Sequence, residues 1–359
     1  MLKSSSARVY GVRRPSRSLG QTLSDQAREV LKMRIRYVLS GVAVLATFGL
    51  FTSTALAAPT PSSLSPYPPL SDTSPSAAPG YTSVNQLLNS AAVTEAAAYM
   101  QYWGYAAGAD QRGRTDLANV WRSVAKVEHQ DHYIHEITLS VLYSGTDNIA
   151  NLQIAVTQAP QAAKADEGWM DKAPKGSAAA FVLGIVAARE RAAARLLTQA
   201  LNALQGQGGS VPAAPPVQYV AVKVSPKPHY SGDFYNDLTG DSNSAVAVAA
   251  WQWAEYQWMA KVAVSTGHAD LGALLSGLEA LEAQNWIELS NVAGYVNGIR
   301  MNLQSSIASE QEAIDMYAAW ASRADHLCDP SVASVFRSVE GDEQGHHQTF
   351  TTELEKLAR

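Results

Sequence analysis

The feature that most restricts this chain is a glutamate set into an apolar helical stripe, four times over. Leu117, Trp121, Val124, Glu128, Asp131 and His135 follow one another at steps of four and three, as do Leu183, Val186, Glu190, Ala193, Leu197 and Leu201. The same steps link Leu271, Leu275, Leu278, Glu282, Asn285, Leu289 and Val292, and then Val332, Phe336, Val339, Glu343, His346 and Phe350. Apolar residues at this spacing form the buried face of an amphipathic helix. Each stripe glutamate is followed three residues later by Asp, Ala, Asn or His.

The glutamates also disclose a repeat. Glu128 and Glu190 lie 62 residues apart and Glu282 and Glu343 lie 61 apart, while Glu128 to Glu282 is 154 and Glu190 to Glu343 is 153. That is an internal duplication with an extra connector between the copies. Further helices precede the glutamate-bearing ones, at about 82–108, 148–163, 245–265 and 301–324. Pro160 and the following GWMDKAPKG segment interrupt the second of these. The expected fold is all-α, with two tandem antiparallel four-helix bundles over residues 82–206 and 243–359. Between them, residues 207–242 read as a linker or surface excursion, with a short strand expected at 217–224.

The first 57 residues read as a leader. From Met33 a short basic start, an apolar run and Ala55-Leu56-Ala57 give the layout of a secretory signal peptide cut near Ala57, and Met33 reads as the natural start. Residues 58–81 are rich in Pro and Ser and read as a flexible tether. These features imply a periplasmic or extracellular protein with no stable membrane anchor after cleavage. Charged residues make up 16% of the chain and hydrophobic ones 47%, which suits a packed core rather than disorder. A net charge of −5 with no basic cluster outside the leader argues against nucleic acid as a partner. A single cysteine, Cys328, excludes an internal disulfide. Self-association into a homo-oligomer is left open.

A carboxylate in an apolar stripe costs several kcal/mol unless a positive charge faces it. Several facing one interior would repel one another unless protonated or bridged by cations. Metal ions are therefore the expected partners. A Glu and a His at i and i+3 lie on one helix face, so that the Glu can bridge two metals while the His holds one.

Two stretches then carry a resemblance. Residues 309–350, with Glu312 in EAIDMY and Glu343-Gln-Gly-His346 thirty-one residues later, resemble the second half of a rubrerythrin-type ferritin-like domain. Residues 94–136, with Glu95 and, thirty-three residues on, Glu128-His-Gln-Asp131-His132, resemble the first half of a similar domain. The resemblance implies a di-iron site, with manganese as the alternative metal. In the second copy it assigns Glu282, Glu312, Glu343 and His346, with Glu255 as a further ligand. In the first copy it assigns Glu95 and Glu128, with Asp131 or His132 in place of the histidine. The sequence departs from the family pattern at Asn285 and Ala193, where histidines are missing, and at Trp251, where a carboxylate is expected. Three functions compete: ferroxidase or peroxide- and oxygen-linked protection, a degenerate stress or envelope protein without metal, and a partner-binding module. No paired CxxC knuckles are present, so electrons for turnover would come from iron itself or from another protein.

Overall fold

The computed structural model describes Tyr81 and residues 83–358, apart from 141, 219 and 241–243. The leader and most of the Pro/Ser tether lie outside the described residues. The helices are α1 (Val84–Gln111), α2 (Thr115–Val127), α3 (Ile134–Leu139), α4 (Asn148–Lys172), α5 (Ala178–Leu204), α6 (Gly232–Thr239), α7 (Ala245–Ser265), α8 (Ala269–Ala293), α9 (Ile299–His326) and α10 (Pro330–Lys356). A π-helical turn, Glu128–Tyr133, joins α2 to α3 in one rod. Among the described residues there is no strand, and no helix is long and apolar enough to cross a membrane.

Helix starts follow their caps. Ser83 and Gln86 form a reciprocal capping box at α1, while the side chains of Asp147, Ser177, Ser244 and Asp329 cap α4, α5, α7 and α10. At the end of α8, Gly294 takes a left-handed φ of 58°, and a Cβ there would lie 2.5 Å from the Pro226 carbonyl oxygen. Helix α4 runs through Pro160 to Lys172 rather than breaking there. Pro160 is exposed, so water can serve the carbonyl that loses its helical donor.

The helices form hairpins α1/α2–α3, α4/α5, α7/α8 and α9/α10. The hairpins do not pair in tandem. Helices α4, α5, α7 and α8 pack as an inner set. The first and last hairpins pack together as an outer set, joined by Trp121 Nε1 donating to Ser306 Oγ at 3.0 Å and Tyr102 OH donating to Glu310 at 2.5 Å. Helix α1 lies against α7, so one continuous core spans both sets, with Trp121, Trp286, Tyr133 and Phe350 fully buried in it. Burial of each such side chain contributes roughly 1.5–3 kcal/mol.

The connector is a strap laid along α8. Gln218 N–H donates to Gln284 Oε1 and Lys223 N–H to Asn291 Oδ1, while Asn291 returns a bond to the Ala221 carbonyl. Side-chain amides two helical turns apart thus satisfy an extended backbone, and the described residues of 217–224 form no strand. Beyond it, α6 packs on α7 and α8.

Candidate metal centre

In the outer set, four helical segments each aim a glutamate at one point: Glu95 from α1, Glu128 from the π turn, Glu310 from α9 and Glu343 from α10. All four are at most 2% exposed, and His132 and His346 stand among them. Ligand atoms of Glu95, Glu128, His132 and Glu343 lie within 4.8 Å of one another, and so do those of Glu128, Glu310, Glu343 and His346. The two groups share Glu128 and Glu343, so the site consists of two interlocked halves.

The π turn explains an irregular spacing. A histidine is expected three residues after the glutamate, as in Glu343 and His346, yet His132 follows Glu128 by four. The wider turn absorbs one extra residue and swings His132 into the position that Asp131 would otherwise take. Asp131 is accordingly exposed, contrary to its assignment as a ligand. His132 Nδ1 lies 2.9 Å from Glu128 Oε2, 3.4 Å from Glu343 Oε1 and 3.5 Å from Glu95 Oε2. Its Nε2 faces Asp342 at 3.3 Å, which fixes the ring. His346 Nδ1 lies 3.2 Å from Glu128 Oε1 and 3.4 Å from Glu343 Oε2.

A second ring of groups orients the carboxylates. Tyr102 holds Glu310, and the Tyr317 hydroxyl reaches both Glu95 and, at 2.7 Å, Glu136. Glu136 is fully buried, and burial pushes its carboxyl up to about 8. It lies four residues beyond His132 and eight beyond Glu128, a spacing that could have revealed it in the sequence.

The electrostatics show a site short of positive charge. Burial, reinforced by the neighbouring carboxylates, raises the Glu95 and Glu310 carboxyls well above their usual range. Burial would also raise Glu343, but hydrogen bonds with Glu310, His132 and His346 overcome it and hold that carboxyl below the usual range. Burial works against charge on the imidazoles too. Even so, Glu128 and Glu343 lift His346 to about 9, and three carboxylates lift His132 further. Protons thus crowd where cations would sit. Glu95 Oε2 and Glu128 Oε1 are buried with no well-formed hydrogen bond, only the His132 and His346 imidazoles at 3.5 and 3.2 Å, which leaves these carboxylate oxygens poorly satisfied. Four carboxylate charges match two divalent ions with both imidazoles neutral, and this oxygen and nitrogen donor set suits first-row metals. These buried Glu and His groups could therefore hold metal ions.

The remaining expected ligands lie elsewhere. Glu312 is two residues from Glu310, roughly 200° around α9, and is half-buried outside the cluster. Glu282 and Glu255 belong to the inner set, where amides and protons take the place of cations. Gln252 Nε2 donates to Glu190 at 2.8 Å, and Asn285 Nδ2 donates to Glu282 at 3.0 Å and to Glu190 at 3.4 Å. Arg189 donates to Asn285 Oδ1 at 3.0 Å and so fixes the direction of that amide. Burial and the adjacent Glu190 carboxyl push Glu282 well up. Tyr143 OH donates to Glu255 at 2.8 Å, and burial lifts that carboxyl to about 8. His129 also stands apart from the metal cluster, with its Nε2 2.6 Å from Gln257 and its ring against Tyr99 and Trp253.

No family model, curated protein or solved structure matches this chain.

Proposed function

We propose that the chain is an exported ferritin-like protein whose outer helices bind a pair of divalent metal ions and use them in oxidation by oxygen or peroxide. The observation that carries this reading is the pair of four-residue ligand groups sharing Glu128 and Glu343. The arrangement parallels the ferritin-like pattern, in which two helices each give a Glu and two others each give a Glu and a His about one turn apart. Glu128 and Glu343, common to both groups, would help to hold both ions. Glu95 and His132 would complete one end, and Glu310 and His346 the other. A redox-active metal such as iron, with manganese as the alternative, would supply Lewis acidity and one-electron chemistry there. The protein holds Glu310 and Glu95 in place through Tyr102 and Tyr317 and the His132 ring through Asp342, and the surrounding apolar core keeps bulk water away.

A metal-free reading applies to the inner set alone, where Gln252 and Asn285 donate hydrogen bonds to the glutamates and burial keeps those carboxyls protonated. The test is metal stoichiometry. Anaerobic titration with Fe2+, followed by plasma mass spectrometry, should give two ions per chain. Glu310→Ala should reduce the number to one, and Glu312→Ala should leave it at two. A wild-type protein that binds none, or a Glu312→Ala variant that loses an ion while Glu310→Ala does not, would overturn the assignment. Oxidation of bound Fe2+ by oxygen and by hydrogen peroxide, followed by absorbance, then separates a ferroxidase from a peroxide-linked protein.

A further inference from the structure

A line of oxidisable rings joins the protein surface to the Glu310 end of the cluster. Trp103, 37% exposed, lines a surface depression of about 200 Å³ with Lys126. Its ring centroid is 6.2 Å from that of Trp286, which is 6.1 Å from Tyr295. Tyr295 stacks with Tyr105 at 6.2 Å and 26°, and Tyr105 lies 6.4 Å from Tyr102. Tyr102 OH then donates to Glu310 Oε1 at 2.5 Å.

All these separations fall within the range of aromatic contact. Electron tunnelling weakens exponentially with distance, so a relay of touching rings outruns a single jump across the core. On α1, Trp103 is turned toward the surface while Tyr102 and Tyr105 are buried, and Trp286 and Tyr295 close that gap. The backbone makes room for the bridge at Gly104, where a Cβ would come within 2.4 Å of the Trp286 ring.

We propose that this series carries electrons between a one-electron donor at Trp103 and the proposed metal pair, a purpose that rests on the metal-binding reading above. With the metal pair bound and Glu310 ionised, one electron leaves Tyr102 for the site and its phenolic proton passes along its hydrogen bond to Glu310. The vacancy moves outward through Tyr105 and Tyr295, which hold it only in transit and keep their phenolic protons, and through Trp286 to Trp103, where a one-electron reductant fills it. As the electron returns to Tyr102, so does the proton, and the net transfer is one electron from the reductant to the site.

The relay is testable with redox-inert Zn2+ in the site, its binding measured first by plasma mass spectrometry, which separates its fate from that of the metal reading. In a Cys328→Ser background, Lys126→Cys carries a ruthenium polypyridyl label. A flash and an external electron acceptor convert the label to ruthenium(III), which draws one electron from the relay. Paramagnetic resonance should show a tyrosyl radical that is lost in Tyr102→Phe. Its yield should fall by an order of magnitude or more in Trp286→Phe and return in Trp286→Tyr, which restores an oxidisable ring. Absence of a tyrosyl signal in the parent, or an equal yield in Trp286→Phe, would overturn the proposal and leave these rings as core filling.

Discussion

Replacing Glu255 with Gln should stabilise the protein at neutral and alkaline pH while changing little near pH 5. Glu255 is 1% exposed and faces Tyr143 OH, the Gln158 amide nitrogen at 2.7 Å and the neighbouring carboxyl of Glu190. Burial, with a smaller contribution from Glu190, lifts its carboxyl from 4.5 to about 8. For an acid raised in the fold, the stabilisation is complete below the unfolded value. It declines as pH rises from there and is gone above the folded value, because the unfolded chain ionises first. The gap between 4.5 and about 8, at roughly 1.4 kcal/mol per pH unit, comes to about 5 kcal/mol in full, of which about 3 kcal/mol is already lost at pH 7.

Glutamine resembles the neutral acid in shape. Its oxygen can still accept from Tyr143, and Gln158 can turn its amide to accept from the new nitrogen. Urea denaturation followed by far-ultraviolet circular dichroism in EDTA, at whole pH values from 5 to 8, measures the difference between variant and wild type. Glu190, Glu282 and Asp166 are also raised and slope the same way, but they are common to both proteins and largely cancel. The variant's advantage should grow with pH to roughly 3–5 kcal/mol by pH 8. A flat difference, or a variant less stable at pH 8, would refute the idea that this buried carboxyl is held neutral.

Four further outcomes follow from the geometry. Saturating Mn2+ should raise the melting temperature and EDTA should reverse the rise, since each site filled at a hundred times its dissociation constant adds about 3 kcal/mol; an unchanged melting curve counts against the metal pair. Tyr317→Phe removes the hydroxyl shared by Glu95 and Glu136 and should cost about 1–3 kcal/mol in urea denaturation of the metal-free protein. Gly104→Ala drives a methyl group into the Trp286 ring and should cost about 1–3 kcal/mol by the same assay. Cys328 sits at a φ of 60° in the turn after α9, where a side chain is disfavoured, so Cys328→Gly should gain about 1 kcal/mol, read as a higher melting temperature.

The helical class and five of the six clustered residues are visible in the sequence, because a charge in an apolar stripe stands out whatever it packs against. Two local details are not. The π turn is a one-residue insertion that leaves the hydrophobic period nearly intact, so Asp131 and His132 look equally placed. Glu310 and Glu312 are decided by their stripes: Leu303, Ser306, Glu310 and Tyr317 follow the buried face of α9, whereas EAIDMY draws attention to Glu312.

The larger gap between sequence and structure concerns which hairpin meets which. Under the duplication, α1/α2–α3 corresponds to α7/α8 and α4/α5 corresponds to α9/α10, so a bundle needs one hairpin of each kind. Pairing neighbours satisfies that need, and so does pairing the first with the last; hydrophobic periodicity is the same either way. The choice matters because the histidines are unevenly spread. His132 lies on the first hairpin and His346 on the last, while Ala193 and Asn285 stand at the matching places of the two middle ones. Tandem pairing would give each bundle half a ligand set, and both would look decayed. Crosswise pairing, as tied by Trp121 to Ser306 and by His346 to Glu128, gathers both histidines around one set of four glutamates. The same exchange leaves the inner glutamates to Gln252, Asn285 and their own protons. What reads along the chain as two incomplete sets is, in space, one cluster that gathers four glutamates and both histidines and another whose glutamates meet amides.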